Sequence, residues 1–590
     1  MRFRRFQFLI LCVAILMLVA CSDGGEGDAA EDDPDETAEV AGDDDADDDE
    51  AAADDEADDA DEAEGDDDGD EADEADEGDE PDEDAGDGQG GGDVTVQLYQ
   101  QPTTFYPVVA SIGPNHMIGQ LHWDSLVAVD TDNEYMPRLA EDWEVSEDGT
   151  EWTFHLRDDV SWSDGEPFTA ADVLFTFELY ANPESASANV GKFANVEGGP
   201  EFAEGEADSV EGFATPDDHT FTISLVEPNS AYLIEFVQPL LYILPEHIVS
   251  EFEVATLEDN QFFREPTVGI GPFVFEQWVT DDQIEFHANP EYHTQPDIER
   301  VFAQHLATDV AAAQLETGEM DYAQVAAADA ERVDGLDGVT LHRTEGPGIM
   351  ALHSALDSGK LDDPRVRQAV LHAIDRESLV DQVLAGEGMV VDTMIHGPDW
   401  AVPDDLTHYE YDPDRARELL EEAEWDESTP VRIEIIPGQS DRDLTVTIVA
   451  GQLQEVGIDA MVTQQEAAEQ SEAIADRDFD MLISSYGLFN LDPAAMDARL
   501  TCGQVGGGNL VAYCNPELDE LLEAGVATPD EDERAEIYAE AQRIVNEEVP
   551  VFVLYSPNTL AATSDRIEGF ELNAGVTMPF LEIAEWSVSD

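Results

Sequence analysis

Cys502 and Cys514 carry the first chemistry the chain offers. Two thiols about a dozen positions apart bracket the loop "CGQVGGGNLVAYC". In an exported protein such a pair forms a disulfide, worth about 3 kcal/mol in the chain-entropy model. Zinc would need two further ligands, and no Cys or His pair lies close in sequence. Carboxylates at Asp130, Asp132, Glu134 and Glu141 match the first, third, fifth and twelfth places of a calcium loop. Tyr135, however, fills the sixth place, where the sharp turn requires glycine. His293 and His305 show no metal spacing. No H-E-x-x-H, G-x-S-x-G or P-loop occurs. Acids are so frequent that one more pair of them marks no glycosidase dyad. No catalytic signature is found among these residues, and no cofactor or metal is expected.

Cys21 stands at a seam. Arg2, Arg4 and Arg5 precede an apolar run from Phe8 to Ala20, the length of a signal-peptide core and short for a bilayer span. "LVAC" (Leu18 to Cys21) resembles a lipobox. That resemblance implies cleavage before Cys21, lipid on its sulfur, and an extracytoplasmic mature protein, anchored to the outer face of the cell membrane or periplasmic. One chain anchors marginally, at about 10⁴ M⁻¹, and lipoproteins usually carry at least two. Residues 1–20 are thus expected to be a lipoprotein signal peptide, and residues 21–93 a lipidated acidic linker. From about Glu26 onward that linker is Asp, Glu, Ala and Gly with almost nothing apolar to bury, so it is expected to be disordered and self-repelling.

The acidity extends through the whole chain, with 140 Asp+Glu against 23 Lys+Arg and a formal charge of −117. Such self-repulsion opposes a compact state in dilute buffer. Molar salt shortens the Debye length to about 3 Å, which predicts a protein suited to high salt. No basic stripe is present to neutralise phosphates, so nucleic acid is not an expected partner.

The elements that position these residues alternate between strand and helix. "EWTFHL" (Glu151 to Leu156) alternates in the strand period, and Thr169 with Asp172 reads as a capping box opening a helix. "DDPRVRQAVLHAIDRESLVDQVL" and "DPDRARELLEEAEW" are helical, with Asp-Pro starts. "RIEIIP" and "FDMLISSYG" read as strands between helices. The fold class is α/β, and about 500 residues call for two or three domains.

At this level the chain resembles the family 5 extracellular solute-binding proteins, the dipeptide, oligopeptide and nickel receptors of ABC importers. The segments that carry the resemblance are "PRLAEDWEVSEDGTEWTFHLRDDVSWSDGEPFTAADVLFTF", "VGIGPFVFEQW", "LETGEMDYAQV", "DDPRVRQAVLHAIDRESLV", "YDPDRARELLEEAEW", "FDMLISSYGLFNLDP" and "YCNPELDELL", in that order. The resemblance implies a two-lobed periplasmic-binding-protein type II fold with two crossing strands. Lobe I would comprise 94–125, 265–307 and 553–590, with an extra subdomain at 126–264, and lobe II would comprise 308–552. It implies a monomer that captures a peptide or other small solute between the lobes and delivers it to the permease subunits, behind which separate ATPase subunits work. A ligand-sensing receptor component would use the same closure without transport. Cys502 and Cys514 also resemble a cysteine pair of dipeptide-binding members.

By the same resemblance, Tyr486 stands where dipeptide binders carry a pocket tryptophan, and Trp400 matches another cleft aromatic. Ser111 and Gly113 stand where the first lobe offers polar and backbone contacts. Two positions depart. The Asp that pairs with a peptide's ammonium falls at Phe489, with Asp492 the nearest acid to replace it. The Arg that meets the carboxylate falls at Ser440, with Arg442 two residues on. Trp162 and Phe168 read as fold residues.

Overall fold

A computed structural model describes residues 92–109, 113–131, 134–237, 240–280, 282–486, 492–574 and 578–589. The expected signal peptide, Cys21, the linker to residue 91, Ser111 and Phe489 lie outside the described residues.

The first lobe opens with β1 (Asp93–Leu98), which sends Val94 and Val96 into the core. Asp93, expected in the linker, belongs to this strand because Arg300 grips its carboxylate through Nε and Nη2. Helix α1 (Gly113–His122) buries Met117, Ile118 and Leu121. β2 (Val127–Val129) and β3 (Tyr135–Pro137) form a short antiparallel pair. β4 (Ala140–Val145) and β5 (Glu151–Leu156) lead into α2 (Ala170–Ala181), where Thr169 and Asp172 form the expected capping box. β6 (Phe213–Asp217) and β7 (Thr220–Ser224) complete a four-stranded antiparallel sheet, in the order β4-β5-β7-β6. A buried network ties this region to the rest of the lobe. Arg138 donates to Asp124 at 2.9 Å, to the Tyr292 hydroxyl at 2.9 Å and to the Leu581 carbonyl at 2.8 Å.

The chain then returns through β8 (Phe273–Val279), β9 (Gln283–Ala288) and β10 (Arg300–His305). α3 (Thr308–Thr317), β11 (Tyr322–Gln324), α4 (Ala330–Asp334) and β12 (Val339–Glu345) follow. The second lobe is built from β13 (Ile349–Ser354), α5 (Pro364–Ala373), α6 (Arg376–Val383), β14 (Gly388–Met389), α7 (Pro413–Glu422) and β15 (Pro430–Ile435). It continues through α8 (Ser440–Glu455), β16 (Asp459–Gln464), α9 (Ala467–Asp476), β17 (Met481–Tyr486), α10 (Pro516–Ala527) and α11 (Glu531–Glu548). Asp363 and Asp412 cap α5 and α7 ahead of Pro364 and Pro413, which accounts for the Asp-Pro starts. β18 (Val551–Ser564) closes the fold.

β18 belongs to both lobes. The strand order is β16-β15-β17-β13-β18-β11-β1-β10-β9-β8, with β12 and β14 also paired to β18. Its first half runs antiparallel to β13, and its second half to β12 and β11. Alternate side chains feed opposite faces. Phe552 and Leu554 enter one second-lobe core, and Val551 and Val553 the other. Further along, Leu560 and Ala562 pack against α3 and α4 while Ala561 joins the first-lobe core.

This arrangement corrects one expected boundary. Residues 308–345 were assigned to lobe II, but β11 lies between β1 and β18, with Tyr322 opposite Val96, and the α3 and α4 core rests on the far half of β18. That segment packs with the first lobe, and the second lobe starts beyond Glu345.

Candidate functional site

Two antiparallel strands, β12–β13 and β18, carry the chain between the lobes. The first is broken at Gly346-Pro347-Gly348 and the second carries Ser556-Pro557. Proline supplies no ladder donor and glycine no side chain, so regular pairing weakens at the crossing. The Ser556 hydroxyl lies 3.1 Å from the Gly346 carbonyl and 2.8 Å from that of Gly348. A Cβ at Gly346 would sit 2.1 Å from the Pro557 carbonyl, so glycine is required there. The second lobe holds this crossing from the side. β14 pairs with Ser556 and Pro557, the Glu387 carboxylate accepts from Arg343 at 3.0 Å, and the Glu387 carbonyl accepts from the Asn558 amide at 3.1 Å. His396 Nε2 lies 3.1 Å from the Gly346 carbonyl, which makes that nitrogen the donor.

Arg442 sits in the first turn of α8, half-buried. One guanidinium nitrogen donates to the Ile436 carbonyl, while Nε is shielded from water with no hydrogen-bond partner. Desolvation holds its pKa below the ordinary arginine value, against the pull of Asp443 and Asp441. Such a group gains from a carboxylate or other anion that can pair with it. One turn further on, the Thr445 hydroxyl meets that of Tyr555 on β18 at 2.7 Å, next to the crossing.

Trp400 also belongs to the second lobe. It packs on the other second-lobe core, edge-on to Tyr538 at 6.2 Å, with the Arg534 guanidinium 5.2 Å from its ring centre. Arg534 donates from Nη2 to both oxygens of Asp492 at 2.9 Å, and from Nε to the Gly525 carbonyl at 3.0 Å. Asp492, considered from sequence as the acid that could replace the missing ammonium partner, is therefore already committed. It is buried, ion-paired, and accepts from the Ala494 amide at 2.8 Å. Leaving this pair would strand the Arg534 charge in a buried site.

Of the other expected residues, Tyr486 ends β17 with its backbone opposite Ile349, and Gly113 begins α1. Trp162 and Phe168 are buried in the first-lobe core. Cys502 and Cys514 are joined in a disulfide. Sequence reasoning missed Arg534, Thr445 and Tyr555. Arg534 lies four residues before Tyr538, one helical turn, and that spacing was the available signal.

The family model for bacterial extracellular solute-binding proteins, family 5, matches residues 134–506. The dipeptide-binding protein of Escherichia coli (strain K12) is 27% identical over 457 residues, covering 74% of this chain and 84% of that protein. Among solved structures, the oligopeptide-binding protein AppA from Bacillus subtilis, in complex with a nonapeptide, superposes with a TM-score of 0.67 at 24% identity. It covers 85% of this chain and all of its own. NikZ from Campylobacter jejuni, in complex with Ni(L-His), gives 0.67 at 22% identity, covering 84% of this chain and 99% of its own.

Proposed function

The chain belongs to the bacterial extracellular solute-binding proteins of family 5, and from that premise we propose that it captures a peptide or another small solute between its lobes and delivers it to the permease of an ABC importer. It is a binding protein and not an enzyme. The observation that supports capture by closure is the pair of crossing strands with glycine and proline at their midpoint. They let two separately cored lobes change angle at small cost. A ligand that contacts both lobes then shifts the population toward the closed form.

Arg442 is the residue we assign to an anionic group of the ligand, and Tyr486, Trp400, Ser111 and Gly113 complete the proposed lining. With Phe489 at the ammonium position and Asp492 held by Arg534, a free peptide amino terminus has no carboxylate waiting in that loop. The favoured ligands carry a carboxylate or similar anion and either lack a free ammonium or place it elsewhere. We further propose lipid attachment through Cys21 with residues 22–91 as the tether, placing the protein on the outer face of the membrane as a monomer. Absence of fatty-acid label from Cys21→Ser, against labelled unmodified protein, is the expected result.

Titration calorimetry in molar KCl, with free dipeptides against the same peptides acetylated at the amino terminus, tests the ligand reading. Acetylated peptides should bind more tightly, and Arg442→Ala should weaken them by about tenfold to a hundredfold, the worth of a charge-assisted hydrogen bond. Micromolar binding of several free dipeptides, insensitive to Arg442→Ala, would sink it.

A further inference from the structure

The two lobes also meet through hydrogen bonds outside the crossing strands. Ser230 belongs to the first lobe, beside Ala231 and Tyr232. Its amide donates to the Val526 carbonyl at 3.0 Å, and its hydroxyl lies 2.7 Å from that carbonyl and 2.9 Å from the carbonyl of Thr528. Val526 and Thr528 are the end of α10, in the second lobe.

Both sides of this contact are held in place. Asn229 fixes the turn that presents Ser230: its amide donates to Gly149, its side chain accepts from the Ala231 amide at 2.9 Å, and its carbonyl accepts from the Trp152 indole at 3.3 Å. On the other side, the last carbonyls of a helix have no partner within it. Thr528 serves the Ala524 carbonyl at 2.8 Å and Arg534 serves Gly525 at 3.0 Å. The next carbonyl, Val526, is served by the serine of the opposite lobe. A second observation points to the same seam. Tyr135 of the first lobe has a hydroxyl shielded from water and without a hydrogen-bond partner, within electrostatic reach of the Asp492–Arg534 pair.

We propose that Ser230 and the carboxyl-terminal end of α10 form a latch between the lobes, which holds a closed population of the protein without any ligand contact. Arg534 is the positioning residue on the receiving side, because it fixes Gly525 next to the carbonyl that Ser230 reaches. The latch rests on the capture-by-closure reading for its use, and it adds a term to ligand affinity that no cleft residue supplies. A protein with part of its closed state already stabilised needs less from each ligand, so the latch raises the affinity of every ligand by the same factor.

The test uses the full chain, free of ligand, in molar KCl. Spin labels on cysteines replacing the exposed Glu147 and Glu520, one on each lobe, report the distance between lobes by double electron–electron resonance. The unmodified pair should show a short-distance population. Ser230→Ala removes one donor and should lower the closed-to-open ratio by about fivefold to tenfold. Ser230→Asp sets a carboxylate against two carbonyl oxygens and should lower it further. Thermal midpoints should not move, since neither change touches a core. Distance distributions identical across the three proteins overturn the latch, as does the absence of the short population from the unmodified protein. Neither result bears on ligand binding by Arg442, which the calorimetry reads separately.

Discussion

His122 shows how one residue links the core to pH. It is fully buried, with Nε2 3.1 Å from the Val268 carbonyl and Nδ1 accepting from the Phe275 amide at 3.1 Å. Burial pushes its pKa down to about 3, against the opposing effect of the Val268 carbonyl. The folded imidazole thus stays neutral where the unfolded one, titrating near 6.5, takes up a proton. Its contribution is intact above pH 6.5 and is lost as pH falls toward 3, by about 1.4 kcal/mol per pH unit. Chemical denaturation in molar KCl between pH 7 and 4.5 should show that slope. His122→Gln, neutral throughout, should begin less stable at pH 7 and lose about 1.4 kcal/mol less per unit. An equal slope in both proteins would place the acid sensitivity elsewhere. Nothing in the sequence distinguished His122 from the other histidines, because its role depends on Val268 and Phe275, 146 and 153 residues away. Cys502 and Cys514 were legible because their separation alone narrows the chemistry. The commitment of Asp492 was not legible, because its partner Arg534 sits 42 residues on.

At the scale of elements, local signals served well. The capping box at Thr169, the Asp-Pro starts of α5 and α7, and the alternation of β5 each depend on neighbours within a few residues, and each is present. The disulfide tightens one such region. It closes a segment that leads into α10, where the Cys502 amide is also held by Asp519 at 3.1 Å. Replacing both cysteines by serine should lower stability by about 3 kcal/mol, read from denaturant unfolding in high salt. A loss under about 0.5 kcal/mol would mean that packing around Asn509 and Tyr513 already restrains the loop. The boundary misplaced at residue 308 has the opposite cause. β11 is three residues long and recognisable only by its neighbours β1 and β18, each more than two hundred residues distant.

The whole molecule is governed by charge. The two lysines, Lys192 and Lys360, are both ion-paired, with Glu235 at 3.2 Å and Asp480 at 2.7 Å. Most arginines among the described residues are also engaged with carboxylates, which leaves a large excess of acid facing outward. Thermal unfolding should shift upward by many degrees between dilute buffer and 2–3 M KCl, because screening removes repulsion that the folded state concentrates. A midpoint that stays fixed across that range would refute a design for high salt. The excess of acid was legible in composition at once, whereas the interleaving of the lobes was not, since it depends on pairings such as Thr95 with Asp321, 226 residues apart. The shared strand β18 has a consequence for assembly in time. A ribosome delivers β1 early and β18 last, yet β11 and β1 need β18 to complete their sheet, and Arg138 waits for a carbonyl 443 residues downstream. The first lobe, begun first, is finished last, and its sheet must stay free of wrong partners until that final strand arrives.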